Sequence, residues 1–177
     1  LLLIAVMVSL FLASLGFAQL LIRRQPPRVI VTANPPESFS TPIHDFDAIP
    51  GLVVARQAHV GDVVRDVALF KLDSDASTPA ELREVAANLF AALFTDSPES
   101  FDTGLLDGWP AVQVAGRFGD DSAAWLRVTH AGDEVVAFCY SGPDPQPDQD
   151  SIIFNNLATR AVRIGVVVNP SARSQPK

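Results

Sequence analysis

A second cysteine is missing from this chain, and with it any internal disulfide; Cys139 is alone, so cysteine usage says nothing of redox compartment. It also stands too far from the N-terminus to carry a lipid there. Missing too are the best-marked signatures of chemistry: G-x-S-x-G, the P-loop, G-x-G-x-x-G, H-E-x-x-H and C-x-x-C do not occur. Positive charge is scarce, with 13 lysines and arginines against 20 aspartates and glutamates and a formal charge of −7. Arg23, Arg24, Arg28 and Glu37 precede Ser38, so Ser38 to Lys177 carries −9. A surface of this sign repels phosphate backbones, which argues against nucleic acid as a partner, and it disfavours broad adhesion to anionic lipid.

What is present begins with LLLIAVMVSLFLASLGFAQLLI, residues 1–22, without charge or proline. At about 1.5 Å per residue this makes a helix of about 33 Å, enough for a hydrocarbon core of about 30 Å. A secretory signal has a shorter apolar region, of about 7 to 15 residues, ending at a small-x-small site. Gly16-Phe17-Ala18 satisfies that rule, yet the apolar run continues through Leu20, Leu21 and Ile22 to Arg23-Arg24. A retained single-pass anchor in the lipid bilayer is the expectation, with a cleaved signal as the alternative. The run starts at leucine, and further residues are expected upstream of it. Ala5, Ser9, Ala13 and Gly16 recur at three- and four-residue steps, a face on which another membrane helix can approach closely. The flanking arginines taken alone would put the C-terminal end in the cytoplasm. An N-terminal anchor followed by an exported, periplasmic domain is nevertheless the arrangement favoured, with the cytoplasmic orientation left open.

Residues 23–50 hold six of the fourteen prolines and read as an extended linker or strap, with Val29 to Thr32 as a short strand. A flexible tether would carry glycine and serine instead. A domain over 51–170 and a tail over 171–177 complete the organisation. No internal repeat of 20 to 50 residues is visible.

The domain opens with two strand-like runs, LVVARQAHV and VVRDVALFKL, separated by Gly61-Asp62. In STPAELREVAANLFAALFTD, Thr78 and Glu81 form a capping box and Pro79 sits at the first helical position. Leu82, Val85, Ala86, Leu89, Phe90, Leu93 and Phe94 share one helical face. The period then drops to two: SFDTGLLDG, PAVQVAGRF, SAAWLRVTHA and EVVAFCYSG are joined by short turns, which predicts an antiparallel meander with one apolar and one mostly wet face. A second helix is expected in DSIIFNNLATRAVRIG, capped by Asp150 or Ser151, with Ile153, Leu157, Ala161 and Ile164 on one side. The fold class is therefore α+β, an antiparallel sheet covered by two helices.

Helix, GWPAVQVAGRF, SAAWLRVTHA, an acidic turn, EVVAFCYSG and a closing helix near IIFNNLATRAV together resemble the PsbP-like and DcrB-like α/β/α sandwich proteins, over roughly Gly51 to Val168. The resemblance implies a second helix laid on the sheet through Phe154 and Leu157. It also implies a binding or assembly module without a catalytic centre, often exported and associated with a membrane complex. The prolyl loop SGPDPQPDQD and the anchor are not fixed features of that pattern.

Candidate sites are few. Cys139 with His130 as a base would make a nucleophile, but Cys139 lies in a continuous apolar strand and reads as core. His44, Asp45 and Asp47 could ligate a cation, yet no second ligand pair matches them, and a solvated strap is the expectation. Asp144, Asp148 and Asp150 lack the glycine and terminal glutamate of a calcium loop and read as a flexible acidic loop. No metal, cofactor or catalytic residue is assigned. Trp109, between a glycine and a proline, is a candidate contact residue or a cap on the sheet's end. Phe39 and Phe46, with no core of their own in the strap, must pack on the domain or on another protein, and a partner is the preferred assignment.

Two functions fit. The first is a non-catalytic, membrane-anchored accessory subunit that binds and stabilises a larger membrane protein complex, respiratory or photosynthetic. The second is a stand-alone anchored binding protein for a small apolar ligand or peptide. An enzyme of unknown type is a distant third.

Overall fold

The computed structural model describes residues 28–34 and 37–167, so the expected anchor over 1–22, with Ala5, Ser9, Ala13 and Gly16, and the tail over 171–177 lie outside the described residues. The chain divides into two compact units, Leu1–Arg28 with Val166–Lys177, and Val29–Gly165; the second is described below. No helix among the described residues is long and apolar enough to cross a membrane.

The strands are β1 (Arg28–Ala33), β2 (Thr41–Pro42), β3 (Leu52–Val60), β4 (Val63–Leu72), β5 (Ser100–Leu106), β6 (Trp109–Phe118), β7 (Ser122–Ala131), β8 (Glu134–Pro143) and β9 (Val162–Val167). The helices are α1 (Pro79–Phe94) and α2 (Pro147–Ala161). Seven strands form one antiparallel sheet in the order β2-β3-β4-β8-β7-β6-β5, while β1 and β9 pair as a separate ribbon. The meander β5 to β8 thus returns its last strand to the middle, where it pairs with β4.

α1 starts as its sequence dictates. The Thr78 side chain accepts the Glu81 N–H, and the Glu81 carboxylate accepts those of Ser77 and Thr78, which holds its pKa down at about 2. The helix ends at Thr95, in the left-handed region at φ 59°. Gly51 is required where β3 begins, because at φ 82° a Cβ would lie 2.2 Å from the Lys71 carbonyl oxygen.

Both faces of the sheet are buried, which corrects the expectation of one wet face. Under α1 lie Ala68, Phe70, Val112, Val114, Leu126, Val128, Val135, Ala137 and Cys139, met by Leu82, Ala86, Leu89, Phe90 and Phe94 of the helix. On the opposite face Val67, Leu69, Trp125, Val136, Phe138 and Tyr140 meet Phe154, Ala158 and Ala161 of α2. The two sets alternate along β4, β7 and β8, as side chains of a strand must. Central strands covered on both sides lose the polar half of their pattern, and EVVAFCYSG is such a run.

α2 has its N-cap at Gln146, four residues ahead of Asp150 and five ahead of Ser151, with Pro147 at its start, and it ends at Ala161. Val162 to Val167, expected to continue the helix through Ile164, turns instead into β9. The segment VRIGVV is rich in β-branched residues, which favour an extended pleated chain.

Phe39 and Phe46 are not available to a partner. Phe39 is 4 % exposed in the layer under α2 and Phe46 is 7 % exposed in the layer under α1, with its ring 6.4 Å from Phe70 and 6.5 Å from Phe94. Between them β2 pairs with the edge of β3, Thr41 opposite Gln57 and Pro42 opposite Arg56. The strap therefore clips the edge of the sheet and fills both layers with one aromatic each.

Candidate functional site

Three places in the fold gather side chains that could do chemistry or recognition. The first is interior. Arg65 projects from β4 into the layer under α2, where Nε donates to Asp150 Oδ1 at 3.1 Å and Nη2 to Oδ2 at 2.9 Å; both residues are nearly fully buried. The remaining guanidinium donors meet the carbonyls of Val64, Pro143 and Asp144. The Tyr140 hydroxyl donates to Asp150 Oδ1 at 2.8 Å and the Gln146 N–H to Oδ2 at 2.8 Å. Gly142 leaves room for this, since a Cβ there would stand 2.6 Å from the Val64 carbonyl oxygen and 2.9 Å from Arg65 Cδ. Burial pushes the Asp150 carboxyl up, but the bonds from Arg65, Gln146 and Tyr140 outweigh it and the pKa ends below the usual range. Burial and the bond to Asp150 push the Tyr140 phenol well above its ordinary value.

This cluster has no free valence. Among the described residues no buried side-chain nitrogen or oxygen lacks a partner. What the sequence suggested as a flexible acidic loop is thus pinned. Asp150 is the fourth residue of α2 and points inward, while the carboxylates of the exposed Asp144 and Asp148 do not join it. The signal that could have found the cluster is Arg65, which shares its side of the strand with Val67 and Leu69, where a charge demands a buried partner.

The second place is the open side of the same face. Asp102, Gln113 and Arg127 stand in register across β5, β6 and β7. Arg127 Nη2 donates to Gln113 Oε1 at 2.8 Å and to Asn155 Oδ1 of α2 at 2.5 Å, and the guanidinium lies 5.3 Å from the Phe154 ring. Phe154 stacks on Phe138 at 5.8 Å, and Leu157 beside it is half-buried, as the resemblance implied. The row binds α2 to the sheet.

The third place is the β5–β6 hairpin. Trp109 opens β6 half-buried, with its ring 6.4 Å from that of His130 on β7. It caps this end of the sheet and keeps part of its ring accessible. Leu105, close by on β5, is 73 % exposed.

The other sequence candidates do not converge. Cys139 is buried under α1, and burial pushes its thiol far above the ordinary value, so it is inert at neutral pH. His130 pairs with Val135 and Cys139 with Leu126, four residues apart along the strands, or about 13 Å. His44 Nδ1 meets Asp47 Oδ2 at 2.8 Å on the exposed strap, and no group of three or more metal-ligating side chains occurs among the described residues.

Known proteins place this architecture. No family model matches the chain, and no curated protein matches it by sequence. Among solved structures it resembles the solution structure of cyanobacterial PsbP (CyanoP) from Synechocystis sp. PCC 6803, with a TM-score of 0.53 and 14 % identity over 81 % of this chain and 95 % of that one. It also resembles LpqN, involved in cell envelope biogenesis of Mycobacterium tuberculosis, with a TM-score of 0.46 and 13 % identity over 80 % and 86 % of the two chains. The likeness to CyanoP shows the fold, and at its lower superposition LpqN adds nothing to that.

Proposed function

From the PsbP-like fold that this chain has, we propose a non-catalytic accessory module, tethered by an N-terminal membrane anchor, that binds and stabilises a larger membrane protein complex from the extracytoplasmic side. The observation that carries the reading is the closure of the interior. The buried charges of Arg65 and Asp150 are consumed in holding α2 to the sheet, and the Cys139 thiol is sealed in hydrocarbon. Groups that would be poised for catalysis elsewhere are here spent on architecture. Recognition is left to the surface, where Trp109 offers the kind of ring that anchors protein contacts.

Packing also favours this reading over a ligand-binding sandwich. The space between the sheet and each helix is occupied by Phe70, Phe90 and Phe94 on one face and by Phe138, Tyr140 and Phe154 on the other. Within the anchor, Ala5, Ser9, Ala13 and Gly16 supply a face for close approach to a partner helix.

Purification of the full chain from its native membrane in mild detergent tests the proposal. It is expected to co-migrate in fixed stoichiometry with a large complex, and Trp109→Ala is expected to weaken that association while the circular dichroism of the chain is unchanged. A full chain that runs alone as a small protein, or that is recovered free in aqueous extract, overturns it.

A further inference from the structure

The two edges of the sheet are finished differently. At the β3 edge the strap supplies β2, and Pro42 within it has no N–H to offer a further strand. At the other edge β5 has β6 as its only strand partner among the described residues, and Asp102, Thr103, Gly104 and Leu105 are all exposed. α1 packs chiefly over β6 and β7, and α2 over β7 and β8; on β5, α1 covers Phe101 with the Arg83 guanidinium, 4.2 Å from the ring. Natural edges are blunted with proline, charged side chains, lysine above all, or a bulge. SFDTGLL has no proline, lysine or bulge, and Asp102 is its one charge.

We propose that this edge is the interface between two copies of the chain, paired antiparallel about a twofold axis through Thr103. An antiparallel twofold pair keeps each residue opposite one of the same sheet face, so the axis must pass through a residue. An axis at Asp102 would set the two carboxylates directly against each other, which is destabilising. An axis at Thr103 instead puts each Asp102 opposite the other copy's Gly104, and each exposed Leu105 opposite the other copy's Phe101. Thr103 meets its own twin, a favourable cross-strand pair. All seven residues of β5 then find partners, Ser100 meeting Leu106. The clipped opposite edge keeps such pairing from propagating, so it closes at two.

A seam of seven residues a side is small beside the roughly 1,200–2,000 Å² of a standard interface. The dimer is therefore concentration-dependent, and because each copy carries a net charge of −7 it tightens as salt is added.

The test uses the purified full chain in detergent, without any partner, so its outcome is independent of co-migration with a complex. Cys139 is buried, so Thr103→Cys introduces the one accessible thiol. Twin positions on paired antiparallel strands have Cα atoms about 4.5–5.5 Å apart, within disulfide range. Under mild oxidation T103C is expected to form a covalent dimer, faster in higher salt, while Asp62→Cys in the exposed β3–β4 turn is not. Adding Leu105→Lys, at a residue too exposed to matter for folding, is expected to slow the cross-link about tenfold. No cross-link at T103C, an equal rate at D62C, or indifference to L105K overturns the proposal.

Discussion

The two faces of the sheet are closed by different means. Beneath α1 the contact is hydrocarbon throughout: Leu82, Ala86, Leu89, Phe90 and Phe94 lie on valines, alanines and Phe70, and the helix carries its own capping box. Beneath α2 the layer is also apolar, yet it is fastened by ions. The helix has no side-chain cap at Gln146, and its first turn is held instead by Asp150 reaching Arg65 and Tyr140. A helix with a continuous apolar face and local start signals docks by burial alone. One that is short of both borrows a long-range contact, here spanning 85 residues of sequence.

Breaking the ionic fastening is expected to produce the largest effect. Asp150→Ala leaves the Arg65 guanidinium buried without a counter-charge, which costs about 3–5 kcal/mol in a urea unfolding series. The paired change Arg65→Met with Asp150→Leu is expected to cost much less, because it removes the desolvated charges together. A paired variant as unstable as D150A would mean that the ions do more than satisfy each other. On the hydrocarbon side, Leu82→Ala is expected to cost about 2–4 kcal/mol through lost burial and a residual cavity.

Smaller changes sharpen the contrast. Tyr140→Phe removes one hydrogen bond to a charged acceptor and is expected to cost about 1.5–2 kcal/mol. It also gives a sign to the pH dependence. The Asp150 pKa is depressed on folding, so its contribution is complete above the unfolded carboxylate value of about 3.9 and is lost as pH falls through the lower folded value. Without the tyrosine bond the folded value rises, and acid loss measured by tryptophan fluorescence should begin at higher pH. Least of all, Thr78→Ala at the α1 cap is expected to cost about 1 kcal/mol, seen as a modest fall in Tm.

The same contrast explains what could be read in advance. α1 was legible to its first residue because its capping box, its proline and its apolar periodicity are all local. The strands of the meander were legible for the same reason. The start of α2 was displaced by four or five residues because its fastening lies in Arg65 and Tyr140, which no local pattern connects to Asp150. β9 was hidden because VRIG continues the apolar steps of the helix before it, and only pairing with β1 selects the extended form. Phe39 and Phe46 looked orphaned in a proline-rich stretch, since a linear string does not reveal that a seven-residue step spans the sheet's margin. Trp109 fell at the end of the sheet as the turn residues around it required. Neither the exposed Leu105 nor the bare edge beside it could be inferred without knowing which strand comes last.

The clip made by the strap also acts as a gauge. One ring is lodged above the sheet and the other below, so the backbone between Phe39 and Phe46 has a fixed distance to cover around the margin. Removing or adding a single residue there leaves composition almost untouched but puts the two lodgings out of step. A pull on the chain ahead of Phe39 would meet the layer under α2 first, and β2 stands between it and the layer under α1.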